Sequence, residues 1–67
     1  MKLVDVMLMA MMAVVYAQEE KERGEDPTLM IQAAEHYINL VIELDTANDM
    51  PRSIEILQKK LEVIKNA

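Results

Sequence analysis

Arg23-Gly24-Glu25-Asp26-Pro27-Thr28 is the stretch on which the fold turns. Gly24 is the only glycine of the 67 residues, and glycine takes a left-handed helix cap without steric cost. Asp26 before Pro27 reads as an N-cap acid ahead of proline at a first helical position. One helix therefore ends and the next begins within a few residues, which makes the two antiparallel neighbours. Working outward, the pattern predicts helices over 3–23 and 27–47, with Asn48 as the residue beyond the second helix's end. Asp49-Met50-Pro51 then opens a third helix over 50–66, with Lys59, Lys60 and Lys65 towards its negative dipole end. The expected fold is all-α: an antiparallel up-down-up three-helix bundle, one domain over 1–67.

Composition narrows the functional classes. There is no cysteine and one histidine, His36, so disulfides and the common structural zinc ligand sets are excluded. A chain this short then depends on regular helix packing. The net charge of −5 argues against a nucleic-acid partner, which needs a basic surface. The charge is uneven. Residues 1–23 hold three bases and four acids, 24–48 five acids and no base, and 49–67 four bases and three acids.

The N-terminal stretch can be mistaken for a secretory signal, because Val15-Tyr16-Ala17 resembles a small-residue cleavage site after an apolar run. Asp5 interrupts that pattern, and without this segment two helices would have to build a core alone. The uninterrupted apolar run, Val6–Ala17, is 12 residues, short of the ~20 needed to span a bilayer. A helix of the bundle is the expected role, with no membrane partner.

Helix patterning is unequal. On the third helix Ile54, Leu57, Leu61 and Ile64 make one narrow core stripe; only Ile56 and Val63 interrupt its charged face. On the first helix Leu3, Val4, Met7, Leu8, Met11, Val14 and Val15 share one broad face, the expected core contribution. A second stripe remains on the far side: Asp5, Met9, Met12 and Tyr16, flanked by Val6 and Ala13. On the second helix Leu29, Met30, Ala33, Tyr37, Leu40, Val41 and Leu44 are the expected core, with Ile31, Ile38 and Ile42 as an extra edge. Its polar side carries Thr28, Gln32, His36 and Asn39 where a solvated helix usually carries Lys and Glu.

Chemistry-bearing candidates are few. Met7-x-Met9-x-x-Met12 resembles the methionine motifs of copper transporters, and thioethers suit Cu(I). On a helix, though, Met7 and Met9 point to nearly opposite sides. His36 has no convergent nucleophile, since Ser53, the only serine, belongs to another helix. Glu35 and Glu43 lack the Glu-x-x-His spacing of di-iron bundles. No catalytic residue, cofactor or metal is expected, and Glu19-Glu20-Lys21-Glu22-Arg23 reads as a solvated helix end. What remains is the surplus of methionine, tyrosine and isoleucine, read either as an unusually thick core or as a protein interface.

The uniform helix lengths, the Gly24-Glu25-Asp26-Pro27 connection, the absence of cysteine and a Glu/Lys-rich third helix set against two apolar ones resemble computationally designed three-helix miniprotein binders. The likeness is one of style and spans the chain. It implies a monomeric blocking ligand for a protein target such as a receptor or viral glycoprotein. The expected interface is Asp5, Met9, Met12, Ala13, Tyr16, Gln32, His36 and Asn39, on the first two helices, against an apolar, neutral-to-basic patch, with the third helix as the back. The rival expectation is a homodimer formed through the same stripes.

Overall fold

The computed structural model describes residues 2–66. It has three helices: α1 Leu3–Glu22, α2 Thr28–Leu44 and α3 Pro51–Asn66. Every pair of helices is in contact, giving the three-helix bundle that the turn signals predict.

The first turn closes at Gly24 as the sequence predicts, but α2 begins at Thr28 with Pro27, not Asp26, as its N-cap residue. Gly24 sits at φ 78°. Its N–H donates to the Lys21 carbonyl at 3.0 Å and that of Glu25 to the Glu20 carbonyl at 2.8 Å. These two bonds are the Schellman closure, which satisfies carbonyls the helix end would otherwise orphan. Across the turn the Asp26 carboxylate accepts the Thr28 backbone N–H at 3.0 Å and also the Thr28 hydroxyl. Both donors favour the ionised form and hold Asp26 below its ordinary value of 3.8.

The second turn departs from expectation. α2 stops at Leu44, and 45–47 are not helical. Asp45 is responsible. Its side chain is buried and accepts the backbone N–H of Asp49 at 2.8 Å and of Met50 at 2.9 Å. The Asn48 N–H donates to the Asp45 carbonyl at 3.0 Å, with Asn48 itself left-handed at φ 57°. A short acid that can satisfy the loop's N–H groups competes with continued helix, and Pro51 starts α3 where its missing N–H costs nothing.

The core is made by Val6, Met7, Ala10, Ala13, Val14 and Ala17 of α1, Ala34, Ile38 and Val41 of α2, and Leu57, Leu61 and Ile64 of α3. The α3 stripe is the expected one, with Ile54 half-buried. The other two helices are turned differently. On α1 the buried stripe lies about 100°, one residue step, from the expected face. Val4, Leu8, Met11 and Val15, expected inside, are 45–55% exposed, whereas Val6 and Ala13, expected beside the outer stripe, are buried. On α2 Ile38 is core rather than edge, and Leu29 and Leu44 are exposed.

The cause is residue size. Ala10, Ala13 and Ala17 put little bulk between α1 and Ala34 of α2, so the backbones of these two helices approach each other most closely in the bundle. Close backbone approach gains dispersion contacts along the whole pair. Packing Leu8 and Met11 inward instead would hold the helices apart. α3 is tied in at its C-terminal end: the Lys21 ammonium, half-buried, donates to the Ile64 carbonyl at 2.6 Å. Lys65 pairs with Glu35 at 3.3 Å. Lys21 therefore serves as a cap on α3's negative end rather than as part of a solvated tail.

Candidate protein-interaction face

With its alanine side inward, α1 turns its larger side chains to solvent. Val4, Leu8, Met11 and Val15, spaced four, three and four apart, fall on one narrow stripe. Each is about half exposed. That spacing is the 3.5-residue repeat of a helix seam that meets another helix. Met12 and Tyr16, 51% and 47% exposed, continue the apolar surface on one side.

α3 extends the surface on the other side. Met7, Met11, Ile56 and Lys60 line one stretch of the α1–α3 groove, and Val15, Lys60 and Val63 line the next. Ile56 and Val63, the two residues that interrupt the charged side of α3, are 48% and 66% exposed. Their isolation in the sequence disappears in the fold, where they border the α1 stripe. α3 thus adds two exposed apolar side chains beside the α1 stripe. Polar groups frame the face: Lys60 along the groove, and Gln18, Glu19 and Glu22 at the C-terminal end of α1.

The expected interface residues divide. Met12 and Tyr16 are exposed and Met9 half-buried, and they line a groove between α1 and α2 with Met30, Ala33 and Tyr37. Ala13 lines the floor of that groove but is buried, 3% exposed, because it lies on the close-packed α1–α2 side. Asp5 is exposed in the first turn of α1, where a negative charge suits the helix dipole. Gln32, His36 and Asn39 are exposed on α2 opposite its buried Ala34, Ile38 and Val41. Asn39 faces the α2–α3 groove with Gln58 and Glu62. The fold does not gather these three around Met12 and Tyr16. Val4, Leu8, Met11 and Val15 are the members that sequence reasoning assigned to the core. The alanine repeat at 10, 13 and 17 was the signal that could have turned the helix the right way.

Among the described residues the chemistry-bearing candidates stay apart. His36 rests edge-on against the Tyr37 ring, centroids 5.5 Å apart, and Glu35 is engaged by Lys65. Met9 and Met12 line the α1–α2 groove, whereas Met7 is buried towards α3, so the three thioethers do not converge. Among the described residues no group of three or more His, Cys, Asp and Glu could hold a metal ion. Among them, too, no helix is long and apolar enough to cross a membrane. No known protein family, curated protein or solved structure matches the chain.

Proposed function

We propose that this chain is a non-catalytic protein-interaction module that docks another polypeptide on the outer face of α1. One observation carries the reading: Val4, Leu8, Met11 and Val15 form a heptad-spaced seam on a helix whose opposite side is already packed. A helix apolar nearly all round is ordinarily covered all round, and an exposed patch of this extent marks an interaction site. The flexible methionines suit an imperfectly matched partner surface. Style resemblance to miniprotein binders supports the same reading and adds no target. A protein fits better than an anionic membrane surface, because Asp5, Glu19 and Glu22 border α1 where an interfacial helix carries Lys and Arg.

The test is photo-cross-linking from a benzophenone side chain placed at Met12 or Val63, with Glu43 as control. Adducts are expected from the two face positions and should be lost when the labelled chain also carries Leu8→Asp and Val15→Asp. Equal adducts from Glu43, or adducts undiminished in that variant, would remove the face from the interaction.

A further inference from the structure

We propose that the occupant of this face is a second copy of the chain, its α1 antiparallel to the first about a two-fold axis between Leu8 and Met11. The inference rests on the docking reading and names the partner. Val4 and Val15 are equally distant from that midpoint, so a two-fold axis there sets Val4 of each copy against Val15 of the other, and Leu8 against Met11. All four seam residues are covered, and each layer joins two apolar side chains, as knobs-into-holes packing requires.

Area and charge carry the choice of occupant. Val4, Leu8, Met11, Met12 and Val15, with Ile56 and Val63 beside them, are each 45–66% exposed. Together they expose on the order of 600 Å² per copy, and with a polar rim they approach the ~800 Å² per partner of a stable interface. The seam itself carries no charge between Val4 and Val15. The acidic segment 24–48, source of the −5, supplies α2, and its Gln32, His36, Asn39 and Glu43 side faces away from the core. Its repulsion between copies therefore acts at long range and is screened by salt. Direction follows from the helix ends. In a parallel pair Glu19 and Glu22 of both copies would lie side by side. In the antiparallel pair Glu19 approaches Lys2 and the positive N-terminal end of the other α1.

The experiment uses the full chain, which has no cysteine of its own. Sedimentation equilibrium from about 1 to 200 µM should show a monomer–dimer equilibrium. Leu8→Asp should weaken it about tenfold or more, with helicity by circular dichroism unchanged because Leu8 is outside the core. Val4→Cys and Val15→Cys chains, mixed and oxidised, should form mostly the mixed disulfide. Like pairs lie eleven residues or ~16 Å apart along the antiparallel helices, beyond disulfide reach. Predominant like-with-like disulfides overturn the antiparallel arrangement. A monomer throughout the range overturns self-pairing. If photo-cross-links from Met12 and Val63 to another protein persist in that monomer, the docking face survives and only its occupant was wrong. A dimer unaffected by Leu8→Asp and not linked by either cysteine overturns both readings.

Discussion

Asp45 shows how one side chain can end one helix and begin another. Its two oxygens take the N–H groups of Asp49 and Met50, one each, so the loop between α2 and α3 is held by a buried carboxylate rather than by a glycine. Hydrogen bonds to a charged acceptor are worth more than neutral ones, and removing the acceptor strands both donors. Asp45→Ala should therefore cost about 2–3 kcal/mol, measured by urea denaturation. Asp45→Asn, which keeps one acceptor oxygen, should cost less. If Asp45→Ala unfolds at the same midpoint as the parent, the loop is organised by something other than this side chain. Gly24 plays the opposite part at the first turn. It supplies only its positive φ, and a Cβ there would meet nothing within 4 Å, so its role is backbone conformation and not packing.

At the scale of the element, α1 is the helix with the least rotational information in its sequence. Almost any face of Leu3–Ala17 is apolar enough to be a core, and volume decides among them. Ala10 is fully buried and Leu8 is 54% exposed, which reverses the expectation from hydrophobicity alone. Ala10→Leu should force α1 from α2 and cost about 1–3 kcal/mol. Leu8→Glu should stay within ~0.5 kcal/mol in the dilute monomer. Thermal denaturation of both at low concentration decides the matter. The opposite ranking would mean that α1 packs with its Leu8 side inward. α3 lacks this ambiguity, because its apolar residues other than Ile56 and Val63 fit one stripe, and Leu57, Leu61 and Ile64 are buried as read.

For the whole molecule, the unequal interfaces imply unequal stability. The backbones of α1 and α2 approach closely at more positions than either approaches α3, and α3 is tied by Lys21 to Ile64 and by Lys65 to Glu35. The second tie is a surface pair worth little. Native-state hydrogen exchange should show α3 amides opening in a sub-global step below the free energy of the α1 centre. Lys21→Ala should lower that step further, most visibly near residue 64. If α3 and α1 amides exchange through one common opening, the bundle is a single cooperative unit and α3 is held as firmly as the other two helices.

By itself the sequence determined what local chemistry can determine. Glycine, proline and amphipathic spacing specify three antiparallel helices with ends correct to a residue or two, except at Asp45, whose carboxylate takes the N–H groups of the following loop and ends a helix that the pattern would have continued. Only the tertiary structure decided which side of α1 and α2 lies inside. Periodicity reports phase only when polar residues mark the outside, and α1 has almost none before Gln18. Its orientation is set by how closely two backbones can approach, a property of Ala10, Ala13 and Ala17 taken together with Ala34 across the interface. That same choice leaves Val4, Leu8, Met11 and Val15 at the surface and brings Ile56 and Val63 of α3 beside them. The candidate face was therefore invisible in any single helix, because it exists only once two helices have been set side by side.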